Sequence, residues 1–158
     1  DGGDESSVQY EYVPSSSTAE VMKLNWNVQE GKEYSVFASN SNPDDEWLLI
    51  GKVLLTQDAL TLENSYALKK TAWFYMEDEE AEKWPLRSCE ITKDGLFRIV
   101  WERNISSSGA EIKTSQDGSF SRWEPLLQLD LSNHKASLQQ KLGSGPEEIR
   151  NVRIVPKN

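Results

Sequence analysis

The stretch from Ala59 to Lys83 decides what this chain can fold into. Leu62, Tyr66, Trp73, Met76 and Trp84 recur at helical spacing, and Ala72, Phe74 and Ala81 widen the stripe. Asp58 or Thr61 stands where a cap belongs, although Thr61 with Asn64 only half matches a capping box. Pro85 ends the pattern, because the residue before a proline is pushed out of the helical region. The spacing predicts a long helix over roughly 59–83. If that helix is broken, the rival fold is a β-barrel or β-sandwich.

The flanking segments read mainly as strands. Trp47 to Leu55 is almost continuously apolar, which predicts a strand buried on both faces. Leu24, Trp26 and Val28 share one face of an earlier strand, and Tyr34 to Ser39 is a second short one. Leu86–Thr92 and Leu96–Arg103 flank Lys93-Asp94-Gly95, a hairpin signal. In the second arm Phe97, Ile99 and Trp101 face one way, and Arg98, Val100 and Glu102 the other. Residues 104–122 are polar and predict a long surface loop with a small hairpin around Ile112. An apolar run from Trp123 to Leu131 is interrupted by Pro125. Ser132 then caps a short helix through Leu142, with Gly143 as its stop. Asn151 to Pro156 closes the chain as a strand.

Residues 1–20 are serine-rich and read as a flexible tail, in which only Val8–Val13 can form a strand, at a sheet edge. Residues 21–158 read as a single α+β domain. Its expected architecture is a mostly antiparallel sheet with the long helix packed on one face and a short C-terminal helix. A right-handed crossover would join the strand at Trp47 to the one at Leu86.

The chain has 158 residues, enough for one domain that folds without staples. Its net charge of −9 repels phosphate backbones and anionic membrane surfaces, so nucleic acid is not an expected partner. No run of about 18 apolar residues is present, so no membrane span is expected. A single cysteine, Cys89, excludes an intrachain disulfide; its place in a strand predicts a buried, inert thiol. The start at Asp1, without methionine, fits a processed organellar protein, a plastid one included, or a secreted one. Oligomeric state is not legible in these residues.

Catalytic chemistry finds little support. Triads need a base, and the only histidine, His134, lies between Asn133 and Lys135 in polar, exposed-looking sequence. No nucleophile elbow, phosphate loop or dinucleotide fingerprint occurs, and one cysteine with one histidine argues against a zinc site. No catalytic residue, metal or cofactor is assigned, and no motif ties the chain to a known family.

Two features remain. The acidic run Glu77, Asp78, Glu79 and Glu80, with Glu82, sits where the helix would end, opposing the macrodipole. It lacks the alternating oxygens and glycine turn of a calcium loop. Six tryptophans are also present; Trp47, Trp73 and Trp101 have core spacing, whereas Trp84 and Trp123 stand at element ends. Glu77, Asp78, Glu79, Glu80, Glu82, Trp84 and Trp123 are therefore the expected binding surface. The leading expectation is a noncatalytic protein-interaction domain, an accessory, assembly or regulatory factor whose partner carries a basic patch. The alternative is a carbohydrate- or small-ligand-binding module, and the third is a carboxylate-based acid/base enzyme. Asn104-Ile105-Ser106 matches a glycosylation sequon.

Overall fold

The computed structural model describes residues 8–13, 20–39, 47–64, 73–78, 83–115, 124–142 and 151–157. Every regular element among them is a strand. In chain order they are β1 (Val8–Val13), β2 (Glu20–Asn27), β3 (Glu33–Ser39), β4 (Leu48–Leu55), β5 (Ala59–Asn64), β6 (Trp73–Asp78), β7 (Leu86–Ile91), β8 (Phe97–Glu102), β9 (Gly109–Ser115), β10 (Glu124–Asp130), β11 (Lys135–Leu142) and β12 (Asn151–Lys157). The first sheet has the order β1-β2-β11-β10-β9-β6 and the second β12-β3-β4-β5-β8-β7. All pairings are antiparallel. The architecture is a β-sandwich, the alternative reading of the sequence, and the α+β reading with its long helix is overturned.

The helical stripe over 59–83 comes from two strands in different sheets. β5 lies in the second sheet between β4 and β8, with Leu62 opposite Val53 and Ile99, and Leu60 opposite Leu55 and Trp101. β6 lies at the edge of the first sheet, paired to β9. Residues 65–72 and 79–82 are outside the described residues. Helix propensity differs by only a few tenths of a kcal/mol per residue, whereas fully burying one leucine contributes about 1.5–3 kcal/mol. Leu60 and Leu62 are both fully buried, so tertiary burial outweighs propensity here.

The short C-terminal helix is also a strand. Residues 131–134 form a turn in which His134 takes φ +54°, and Lys135 begins β11. Ala136 and Leu138 are buried and their neighbours are not, a period of two instead of 3.6. Part of the supposed loop 104–122 is β9, with Ile112 buried in the core. The expected crossover does not exist, because β4 pairs with β3 and β5 while β7 pairs with β8. β4 is buried on one face only, and Leu48 at its start is 62% exposed.

Other expectations hold. β1 falls inside the supposed tail, but at a sheet edge. β7 and β8 form the hairpin, with Gly95 at φ +79° and Thr92 accepting the Gly95 N–H at 3.0 Å. Glycine tolerates that left-handed turn position without penalty. β12 is the closing strand, paired to β3.

Two antiparallel ribbons pass between the sheets. β2 and β11 pair in the first sheet, and the strands that follow them, β3 and β12, pair in the second. β5 and β8 pair in the second sheet, and β6 and β9, which follow them, pair in the first. The inner faces share one apolar core: Leu24, Trp26, Ile112, Leu127, Leu129 and Leu138 from the first, and Tyr34, Val53, Leu55, Leu60, Leu62, Ile99 and Trp101 from the second. Trp26 and Tyr34 meet across the sheets with ring centroids 5.8 Å apart. The Tyr34 hydroxyl accepts the Gln29 N–H at 3.0 Å and donates to the Asn27 carbonyl at 3.2 Å, fixing the β2–β3 turn. Pro125 coincides with a register shift in β10, the place where a missing backbone donor is tolerated.

Candidate functional site

Inner positions of the first sheet are apolar, so the alternate residues point outward. From β2 these are Lys23 and Asn25, from β11 Lys135 and Ser137, from β10 Gln128 and Asp130, and from β9 Glu111. Register aligns them into rows. Asn25 stands opposite Ser137, Ser137 opposite Gln128, and Gln128 opposite Glu111. The adjoining row sets Asn27 opposite Lys135 and Lys135 opposite Asp130. Side chains directly opposite are close enough to act together on one ligand. They line an open groove of about 600 Å³.

Internal hydrogen bonds set part of the groove in place. Gln128 Nε2 donates to Glu111 Oε2 at 2.7 Å, and Lys113 Nζ lies 3.6 Å from Glu111 Oε1. Asn133 holds Asp130 with two donors, its backbone N–H at 3.2 Å and its side-chain amide at 2.8 Å. The Asn133 side chain is the main reason that the Asp130 carboxyl titrates below the usual aspartate range. The hydroxyl of Ser137 differs from these groups. Its oxygen is buried and forms no hydrogen bond. Buried hydroxyls ordinarily have a partner, so this one carries an unmet hydrogen-bonding capacity, which a group in the groove reaches only when the side chain turns outward.

Among the described lining residues Lys23 and Lys135 balance Glu111 and Asp130, although the whole chain carries −9. Among the described residues no aromatic side chain lines the groove. Its chemistry is amide, hydroxyl, carboxylate and ammonium, arranged for hydrogen bonding without net charge. Asp130 is held ionised by Asn133, the opposite of what a general acid requires.

Of the residues expected from sequence to form a binding surface, Glu77, Asp78 and Trp84 lie among the described ones. Trp84 is 3% exposed, and its indole N–H donates to Ser107 Oγ at 3.3 Å. Glu77 and Asp78 lie on strand β6, where Glu77 is in register with Glu111 and Asp78 with Ala110. Glu79, Glu80, Glu82 and Trp123 lie outside the described residues. The first two residues of the acidic run therefore stand on a strand and not at a helix end. Cys89, expected to be buried, is exposed on β7, because β7 is an edge strand. Partial desolvation still pushes its thiol pKa up. His134 is exposed, in keeping with its polar neighbours.

Sequence reasoning did not single out Lys23, Asn25, Glu111, Gln128, Asp130, Lys135 or Ser137. A signal existed: six of the seven, all but Lys135, are flanked by apolar residues, as in Leu24-Asn25-Trp26, Leu127-Gln128-Leu129 and Ala136-Ser137-Leu138. Which strands are neighbours is set by distant pairing and is absent from that pattern.

Among the described residues no three His, Cys, Asp or Glu side chains gather as a metal ion would need. No helix among them is long and apolar enough to cross a membrane. No family model matches this chain, and neither a curated protein nor a solved structure matches it significantly.

Proposed function

We propose that this is a noncatalytic ligand-binding domain whose site is the outer groove of the first sheet, and that its ligand is uncharged and rich in hydroxyls, of carbohydrate type. The observation that carries the reading is the register that sets outward polar residues in one row across the groove, among them Ser137. Around it stand Asn25 and Gln128, whose amides both donate and accept, as paired hydroxyls on a ligand require. The balanced local charge favours a neutral ligand over an anion or a cation. The described lining supplies hydrogen-bonding groups and no aromatic platform, which supports recognition through hydrogen bonds.

The test is calorimetric titration of neutral oligosaccharides of several linkages into the protein. Binding should be detected for at least one, and Asn25→Ala or Gln128→Ala should weaken it about five- to tenfold, the effect of losing one ligand hydrogen bond of about 1–1.5 kcal/mol. Heat absent across the panel at millimolar sugar, or affinity unchanged in both variants, would refute the assignment.

A protein partner with a basic patch is the second reading. It is supported by the overall charge and by the register of Glu77 with Glu111, which brings Glu77 and Asp78, the start of the acidic run, to the edge of the first sheet. Charge reversal at Glu77, Asp78, Glu79 and Glu80 should then weaken a recovered partner and flatten its salt dependence. An unchanged affinity would remove this reading.

A further inference from the structure

The β8–β9 connection holds the tripeptide Asn104-Ile105-Ser106, which the groove does not use. Asn104, Ile105 and Ser106 are all exposed, and the Ile105 side chain has no apolar cover, at 64% exposure. Asn104 Oδ1 accepts two hydrogen bonds from Ser106, from its backbone N–H at 3.2 Å and from its hydroxyl at 2.8 Å. The carbonyl half of the amide is thereby occupied, and no hydrogen bond of the described residues uses Nδ2. A hydroxyl donated to the amide oxygen polarises the group in which the nitrogen must act. These contacts span only two residues, so they can also form locally, before the sheets assemble.

The turn is anchored from below. The Ser107 N–H donates to the Asn104 carbonyl at 3.0 Å, and Ser107 Oγ receives the indole N–H of buried Trp84. The Ser108 carbonyl accepts the Leu131 N–H at 2.9 Å, tying the turn to the β10–β11 connection. On the β8 side, largely buried Arg103 forms an ion pair with Glu30 at 3.0 Å and donates to the Thr56 carbonyl at 3.0 Å. The acceptor tripeptide thus projects from a fixed base, where a bulky hydrophilic group displaces no packed side chain.

We propose that Asn104 carries an N-linked glycan, and hence that the protein passes through a compartment where a transferase meets a lipid-linked glycosyl diphosphate. In the transfer, Asn104 Nδ2 forms a bond to the anomeric carbon of the donor sugar. The bond from that carbon to the diphosphate oxygen breaks, its electron pair leaves on the diphosphate, and one amide proton passes to a base. Nothing is oxidised or reduced.

The experiment uses the protein purified from its native source, treated with peptide N-glycanase and read by peptide mass spectrometry. Release of a glycan together with conversion of Asn104 to aspartate is the expected result. Recovery of the peptide spanning residues 104–106 only in its unglycosylated form would overturn the proposal. In the native host, Asn104→Gln and Ser106→Ala should abolish the glycanase-sensitive mass while Ser106→Thr keeps it, with a melting curve confirming that each variant is folded. Retention of the glycan in folded Ser106→Ala would equally overturn it.

Discussion

Ser137 separates what stabilises this fold from what the site is proposed to do. A buried hydroxyl without a partner costs the folded state its desolvation, about 1–3 kcal/mol. Ser137→Ala should therefore leave urea stability unchanged or raise it, while lowering affinity for a groove ligand. A loss of stability would mean that the hydroxyl has a structural partner. Asp130 responds to pH in a defined direction. Its carboxyl is depressed chiefly by the Asn133 side chain, helped by the backbone N–H groups of Asn133 and Ser132 and opposed by desolvation. The stabilisation is thus fully present above the ordinary aspartate pKa and is lost as pH falls through the lowered value. In Asn133→Ala the carboxyl resonance of Asp130 should titrate closer to the ordinary aspartate range; an unmoved titration would assign the shift elsewhere. His134 holds φ +54° in the next turn. A side chain in that region costs about 1–2 kcal/mol, partly offset by the greater entropy loss of glycine, so His134→Gly should stabilise by about 0.5–1 kcal/mol in urea unfolding.

At the scale of elements, β4 and β5 approach at Gly51. A Cβ there would lie 2.7 Å from the Glu63 carbonyl oxygen, a backbone atom that cannot move alone. Gly51→Ala should cost about 1–3 kcal/mol as overpacking, measured by denaturant unfolding; a neutral effect would mean that the β4–β5 register differs. Strand β7 has exposed Leu86 and Ile91 and the exposed thiol of Cys89. Cys89 should react with a thiol reagent without denaturant, more slowly than a free cysteine because its pKa is raised. Elements whose signal is local were legible in the sequence: the β7–β8 hairpin follows from Asp94-Gly95, and β1 and β12 from short alternating runs. Residues 59–64 and 135–142 were not, because their choice between helix and strand is made by partners far away in the chain. Leu60 and Leu62 need β4 and β8, and Ala136 and Leu138 need β2 and β10.

At the scale of the molecule, two ribbons crossing between sheets bring β2, β11, β10 and β9 side by side, although β2 and β9 are about eighty residues apart in sequence. That topology creates the groove. Asn25, Ser137, Gln128 and Glu111 each looked like ordinary outward residues of separate strands, and only the assembled register makes them one surface. The sequence contains none of the common catalytic motifs, but it does not say where a ligand sits. The most direct test is to titrate neutral oligosaccharides into isotopically labelled protein and follow amide and side-chain resonances. Shifts concentrated at Lys23, Asn25, Glu111, Gln128, Asp130, Lys135 and Ser137 are the expected result. An unperturbed spectrum, or shifts confined to the second sheet, would contradict the account.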